Sequence, residues 1–260
     1  MDSETIQQIA EQLFSALQTR TTIEPLTIVH PDISIDDAYS ISLHLLERRL
    51  ARGEHVVGKK IGVTSQAVMD MLDVRQPDFG FLTDAMRYED EMPISDHLIQ
   101  PRAEGELAFI LKKDLVGPGI TNADVIAATE AVVPCFEVVD SRIESWRIKI
   151  QDTIADNASC GFFAINEQAA IHPQKIALSD CRMTVTKNDT VISQGLGSAA
   201  MGDPIRCVTW LANTLGQFGI TLSSGDIILS GSLVPLEPIE AGDRMTVSIE
   251  GMGNCSLAFT

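Results

Sequence analysis

A chain of 260 residues, 45% of them hydrophobic, carries enough apolar material for one substantial core; with aromatics at only 5%, Val, Ile, Leu and Ala must do most of the filling. A formal net charge of −17 excludes nucleic acid and anionic membrane surfaces as partners, because both need a positive counter-surface. It also repels a small anion at long range, so a site for an acid needs local positive charge, which a bound divalent cation supplies.

In chain order, the acidic start Met1-Asp2-Ser3-Glu4 lacks the basic-then-apolar pattern of a secretory leader. Residues 3–20 place Ile6, Ile9, Ala10, Leu13, Phe14 and Leu17 on one helical face, with Ser3 as N-cap. A second helix starts near Ser34, where Asp37 completes a capping box, and runs through Ala38, Ile41 and Leu45 to the basic end at Arg48 and Arg49. These helices define an N-terminal helical section, residues 1–55, ahead of a β-rich domain, residues 56–260.

Val56 to Val63 reads as a buried strand broken by glycines, Ser65 to Leu72 as a short helix, and Pro77-Asp78-Phe79-Gly80 as a turn or loop. Strands are expected at Ile99–Leu111, Val132–Val139, Met183–Ile192 (folded around Lys187-Asn188-Asp189), Asp226–Leu229, Arg244–Ile249 and Ser256–Thr260. Two helices interrupt them. One begins at Thr121 with Asp124 in a capping box; the other has Asp203 as cap, Pro204 at its first position and Gly219 past its end. The pattern is an α+β fold, a β-rich sandwich or roll with a few helices. No apolar run reaches membrane-spanning length. The five cysteines are odd in number and scattered, which suits free thiols in a reducing cytoplasm.

The strongest chemical signal is Ala103-Glu104-Gly105-Glu106-Leu107-Ala108-Phe109. On a strand, Glu104 and Glu106 share one face while Gly105, Leu107 and Phe109 take the other. Two adjacent carboxylates need a cation, a shared proton or basic partners, and hard divalent cations prefer oxygen ligands. An exposed edge strand with two solvated glutamates is the plain alternative. Glu137, alone among apolar residues in Val132–Val139, is costly to bury unpaired, so it either joins the other two or pairs with an arginine such as Arg142. Lys60, between Gly58 and Gly62, either snorkels to the surface or sits beside an anion, where it holds a carboxylate or moves a proton; Lys59 points the other way, toward solvent. Asp156, Asn157 and Ser159 form a polar island that either binds ligand or caps a turn. Ser230-Gly231-Ser232, at a strand end, presents N–H and hydroxyl groups to a ligand or makes an ordinary turn. No phosphate-binding glycine motif and no zinc-ligand histidine spacing is present. Cys135 and Cys160 have no obvious histidine to activate them.

These segments together resemble the 2-oxopent-4-enoate (2-hydroxypenta-2,4-dienoate) hydratases of bacterial meta-cleavage pathways, members of the fumarylacetoacetate hydrolase superfamily alongside the 4-oxalocrotonate decarboxylases. The resemblance runs over nearly the whole chain: Gly58–Ser65, Gln76–Gly80, Ile99–Glu106, Phe136–Arg142, Ala155–Ser159 and Gly231-Ser232. It implies a mixed β-roll of the superfamily's C-terminal type and Mg²⁺ or Mn²⁺ on Glu104, Glu106 and Glu137. It implies Lys60 in the active site; Asp78 is expected to act beside it on water or the dienol, and Asp156, Ser159, Ser230, Gly231 and Ser232 are the candidates to contact a small 2-oxo or 2-hydroxydienoate acid. It further implies a homo-oligomer, often complexed with the decarboxylase of the same pathway. Asp78 stands where the decarboxylases carry an apolar residue, and Leu233-Val234-Pro235-Leu236 lacks the arginine of hydratases for dicarboxylic acids, so the resemblance favours hydration of a short monoacid. The rival readings are the decarboxylase itself, an acylpyruvate C–C hydrolase using His44 and Glu47, and a non-catalytic partner subunit of the decarboxylase.

Overall fold

The computed structural model describes all 260 residues, except for the side chains of Ala67, Met71 and Leu72. Helices α1 (Ser3–Thr19), α2 (Leu26–Val29) and α3 (Ile35–Leu50) precede every strand. The cap of α1 is Asp2, one residue before the expected Ser3, because its carboxylate accepts from Thr5 N at 2.8 Å and a charge suits a helix N-terminus. The Ser34–Asp37 capping box of α3 forms as expected.

The remaining elements are β1 (Val56–Gly62), α4 (Gln66–Leu72), β2 (Asp78–Thr83), β3 (Arg87–Tyr88), β4 (Glu91–Met92), β5 (Arg102–Leu111), α5 (Asn122–Ala128), β6 (Thr129–Val139), α6 (Ile150–Ala155), β7 (Cys160–Ile165), β8 (Arg182–Lys187), β9 (Thr190–Leu196), α7 (Pro204–Gln217), β10 (Ile227–Leu229), β11 (Glu237–Pro238), β12 (Arg244–Ile249) and β13 (Gly253–Phe259). Eight strands form one mixed sheet in the order β2-β1-β10-β5-β6-β7-β3, with β11 on the end of β5; five form a second, β4-β13-β12-β8-β9. The inner faces meet in one apolar cluster, Leu107, Phe109, Phe136 and Val138 from the large sheet against Met183, Val185, Val247 and Leu257 from the small one. The same cluster contains Ile9, Leu13 and Ile41 from the front helices. Tyr39 of α3 stacks on Phe79 of β2 with centroids 4.4 Å apart, and Thr27 bonds Asp152 of α6 through both its backbone N–H and its hydroxyl. The core is therefore continuous across residue 55.

Several sequence expectations are corrected by tertiary hydrogen bonding. Pro77–Gly80 is not a turn: Asp78 begins β2, which pairs antiparallel with β1 in the register Gly62↔Asp78. The strand expected from Ile99 begins at Arg102, because the Ile99 and Gln100 N–H groups are taken by the Asp140 carboxylate. Asp226 lies just outside β10 and pairs with Lys59 at 2.5 Å. Lys59 is accordingly buried, 5% exposed, rather than solvated; a local carboxylate keeps its charge where strand alternation alone pointed it to water.

Candidate active site

The large sheet is curled. In a flat sheet β1 and β6, three strand spacings apart, would be separated by about 14 Å. Yet Lys60 Nζ of β1 lies 3.0 Å from Glu137 Oε1 of β6. A second apolar cluster, including Leu82, Met86, Ala108, Val133, Phe163 and Leu229, fills the concave side. The seam between β2 and the turn before β7 is closed by Asn157, whose side-chain oxygen accepts from Phe81 N at 2.8 Å and whose amide donates to Phe81 O at 3.0 Å. Asn157 thus acts as a surrogate strand partner.

Glu104 stands directly opposite Glu137 in the β5–β6 register, and Glu106 opposite Cys135. Cross-strand partners share a face, so all three carboxylates project onto the concave side. Their oxygens lie within 4.8 Å of one another. Glu106 and Glu137 are fully buried, while Glu104 keeps some surface at the cavity. One Glu106 oxygen accepts from Gly231 N at 2.8 Å; the other, and both oxygens of Glu137, have no hydrogen-bond partner among the described residues. The Lys60–Glu137 contact is an ion pair without the alignment of a hydrogen bond. Burial, reinforced by Glu137, lifts the Glu104 carboxyl from 4.5 to about 8, and burial with the charge of Glu104 raises Glu106 well above the ordinary range. Buried oxygens left without donors are a mismatch that a divalent cation resolves, and an all-carboxylate donor set suits a hard one. The cluster therefore fits a divalent-cation site.

Beside the triad, Asp78 is 1% exposed and shares the cavity wall with Lys60. Thr153 of α6 donates to Asp78 Oδ2 at 3.3 Å, while Oδ1 has no partner among the described residues. Gly62 leaves room for this acid: a Cβ there would lie 2.3 Å from Asp78 Oδ1 and 3.4 Å from Lys60 Nζ. Burial disfavours charge on both groups. It raises Asp78; at Lys60 it is outweighed by Glu137, Asp78, Cys160 and Glu104, which hold the ammonium protonated. The cavity above measures about 720 Å³ and is walled largely by apolar side chains, among them Val63, Trp146, Ile148, Leu233 and Leu236. Val63, Ser145, Trp146, Ala158 and Ser159 in its wall adopt positive φ, a local strain of roughly 1–3 kcal/mol each that surrounding packing must hold.

The expected site residues divide. Lys60, Asp78, Glu104, Glu106 and Glu137 come together, and Ser159 and Ser232 line the cavity. Gly231, at φ +96, faces Glu106 and not the cavity, its N–H holding that carboxylate. The hydroxyl of Ser230 donates to Leu107 O at 2.9 Å. Asp156 lies behind the wall. It takes Arg142 N at 2.9 Å and Nε at 2.5 Å, which also removes the alternative pairing of Glu137 with Arg142. Thr153, Arg102 and Trp146 are cavity groups that no motif announced; Thr153 belongs to a six-residue helix too short to show a polar face. Cys135 and Cys160 are buried, and burial with neighbouring glutamates pushes both thiols up, leaving them inert.

A half-rolled mixed sheet with three glutamates on its concave face defines a fold and a site that suit a divalent cation. The chain belongs to the fumarylacetoacetate (FAA) hydrolase C-terminal family, whose model matches residues 61–259. It is 57% identical to a 2-hydroxyhexa-2,4-dienoate hydratase of Comamonas testosteroni over 100% of this chain and 99% of the relative. It is 63% identical to a 2-hydroxypent-2,4-dienoate hydratase of Pseudomonas putida over 85% of this chain and 100% of the relative. Among solved structures, 4-oxalocrotonate decarboxylase from Pseudomonas putida G7, complexed with magnesium and adipate, superimposes with a TM-score of 0.96 at 33% identity, covering 100% of this chain and 99% of that one.

Proposed function

We propose that this chain is a divalent-cation-dependent hydro-lyase that adds water to 2-hydroxypenta-2,4-dienoate, the enol of 2-oxopent-4-enoate, to give 4-hydroxy-2-oxopentanoate. The observation that carries the reading is the meeting, in one cavity, of a donor-starved triad (Glu104, Glu106, Glu137) with the Lys60–Asp78 pair. Identity of 57% over the full length to a dienoate hydratase supports this over decarboxylation, since the decarboxylase shares the fold at 33%.

Glu104, Glu106 and Glu137 would hold Mg²⁺ or Mn²⁺. Bound there, the cation supplies Lewis acidity that lowers the energy of an enolate. In the reaction the C2 hydroxyl proton leaves and C5 gains a proton, giving a conjugated 2-oxo-3-enoate. Water then adds its oxygen at C4 and a proton goes to C3, so one water is gained overall. Lys60 and Asp78, on either side of the space left by Gly62, are the proton-transfer groups. Thr153 orients Asp78 by donating to Oδ2 and leaves Oδ1 for water. Ser159 and Ser232 offer hydroxyls to substrate or water, whereas Gly231, Ser230 and Asp156 act behind them by fixing Glu106, β5 and Arg142. The apolar wall keeps bulk water from the enol.

Self-association, a complex with the 4-oxalocrotonate decarboxylase and a cytoplasmic location complete the reading. Five free, buried cysteines support a reducing compartment, and exposed Val191 and Leu196 on the edge strand β9 support an apolar contact between copies. Among the described residues no helix is long and apolar enough to cross a membrane. Light scattering on the purified chain, alone and mixed with the decarboxylase, checks the assembly.

The activity is tested by supplying freshly generated 2-hydroxypenta-2,4-dienoate with Mg²⁺, Mn²⁺ or EDTA, following dienol absorbance and the product mass. A product one water heavier, formed only with cation, is expected. No turnover there, with CO₂ released from 2-oxohex-3-enedioate, would make the chain a decarboxylase.

A further inference from the structure

The cation triad and the proton-transfer pair leave one charged residue in the cavity wall without a task. Arg102 opens β5 two residues before Glu104, so the strand period sets both on one face. It lines the cavity together with Lys60, Glu104 and Trp146. Arg49, Arg87 and Arg142 pair with Glu54, Glu167 and Asp156, whereas Arg20, Arg52, Arg182, Arg206 and Arg244 have no carboxylate within ion-pair distance among the described residues, and none of those five lines the cavity. Arg102 makes no ion pair and no side-chain hydrogen bond among the described residues.

Its one specific partner is the Trp146 ring, with Cζ 4.9 Å from the centroid. That ring is itself fixed. Trp146 Nε1 donates to Gln100 O at 3.1 Å, and Gln100 is held by the Asp140 carboxylate at its backbone N–H and by Ser141 O and Ile143 O at its side-chain amide. Contact with a fixed indole face holds the guanidinium at the cavity wall and leaves its N–H groups without a hydrogen-bond partner among the described residues. Lys60, the other cationic residue of the wall, is already against Glu137. A planar fork with no anion of its own, in a cavity proposed to take a carboxylic acid, has the geometry of a carboxylate receptor.

We propose that Arg102 is the carboxylate anchor of this cavity, binding the acid group of the small 2-oxo or 2-hydroxydienoate substrate. The inference rests on the hydratase reading. The stretch Leu233–Leu236, whose lack of an arginine argues against a second substrate carboxylate, supplies only apolar wall. An anchor of this kind sets affinity and orientation and takes no part in proton transfer, so its loss falls on KM rather than kcat.

The test compares wild type, Arg102→Lys and Arg102→Met, each loaded with Mg²⁺. Calorimetry measures the binding of 2-oxopentanoate, a saturated analogue that is not turned over; steady-state kinetics use 2-hydroxypenta-2,4-dienoate; calorimetry with Mg²⁺ alone checks the cation site. Arg102→Met is expected to weaken 2-oxopentanoate about 10- to 100-fold and to raise KM in step, with kcat within about threefold and Mg²⁺ affinity unchanged. Arg102→Lys, which keeps the charge but loses the fork, is expected to recover part of the loss. If Arg102→Met does not fold, the same comparison is read from Arg102→Lys against wild type. Unchanged analogue affinity and KM in a folded variant would overturn the assignment, as would a fall in kcat at constant KM. An adipate titration separates the two ends of a ligand: Arg102→Met losing adipate while keeping 2-oxopentanoate would also overturn it, marking a site for a second, distal carboxylate. If wild type neither binds 2-oxopentanoate nor hydrates the dienoate, the hydratase reading fails; if wild type does both and Arg102→Met equals it, only the anchor fails.

Discussion

The molecule buries two charged clusters close to each other, and they are built in opposite ways. In the first, Arg142 and Asp156 satisfy one another: the arginine donates from Nε to Asp156 Oδ1, from Nη2 to Asp156 O, and from Nη1 to Asp140 O and Cys160 O, while its N–H meets Asp156 Oδ2. In the second, Glu104, Glu106 and Glu137 crowd together with one lysine, and oxygens of Glu106 and Glu137 face no donor among the described residues. A fully satisfied buried cluster holds a turn in place; an unsatisfied one stores unfavourable free energy that an outside partner must offset. Burial alone does not separate them, since Arg142 and Asp156 are as deeply buried as Glu106 and Glu137. The hydrogen-bond inventory does.

The sharpest way to break this contrast is to neutralise one member of each cluster. Glu106→Gln is expected to lower kcat/KM by on the order of 1000-fold, about 4 kcal/mol of transition-state stabilisation. Because it removes like-charge repulsion in a low-dielectric pocket, it should leave EDTA-treated protein at least as stable as wild type in urea melts. Near-wild-type turnover would remove the cation assignment.

Asp156→Ala should behave in the opposite sense. It strands the Arg142 charge in the interior and is expected to cost about 3–5 kcal/mol of stability in denaturant titrations. A stable Asp156→Ala protein with raised KM would instead make Asp156 a substrate contact.

The cation itself supplies a third comparison, through pH. Glu104 holds its proton up to about 8 in the folded chain against an ordinary 4.5. Between those values the folded state binds more protons than the unfolded one, so stability is full at low pH and is lost as pH rises through the raised value. The melting temperature of EDTA-treated protein should therefore fall from pH 5 to pH 8. Saturating Mg²⁺ takes over the deprotonated carboxylates, so the stabilisation it adds should grow over the same range. Scanning calorimetry at several pH values, with and without Mg²⁺, reads both slopes; a cation effect that shrinks with rising pH would count against carboxylate ligation.

The smallest effect is expected at Ser230→Ala, which loses one hydrogen bond to Leu107 O. A cost of about 1 kcal/mol and little change in KM would fit a residue that braces β5, whereas a large KM change would return it to the cavity.

Much of the layout is local in origin, and so is legible in the amino-acid order. The capping boxes of α3 and α5, the Asp203-Pro204 start of α7 and the same-face pairing of Glu104 and Glu106 all depend on neighbours within four residues. The need of Glu137 for a partner follows from its apolar surroundings alone. The partner's identity does not, because joining Glu104 and Glu106 and pairing with Arg142 are both open along the chain, and only the curl of the sheet carries Lys60 of β1 within reach of Glu137 of β6. The same curl, closed by Asn157 bonding to Phe81, turns Asp78 from an expected turn residue into a strand residue aimed at the triad, and Asp156 from a ligand candidate into the partner of Arg142. Strand alternation says which face a side chain takes but not what lies across from it, as the buried Lys59–Asp226 pair records. Residue types and short spacings thus determined the chemistry available to this protein: a same-face pair of glutamates that suits a hard cation, a third glutamate in need of a partner, and a lysine set among glycines. Which oxygens end without donors, and which arginine comes to line the cavity, was decided by contacts between segments far apart in the chain, because hydrogen-bond satisfaction is a property of the packed interior and not of any one strand.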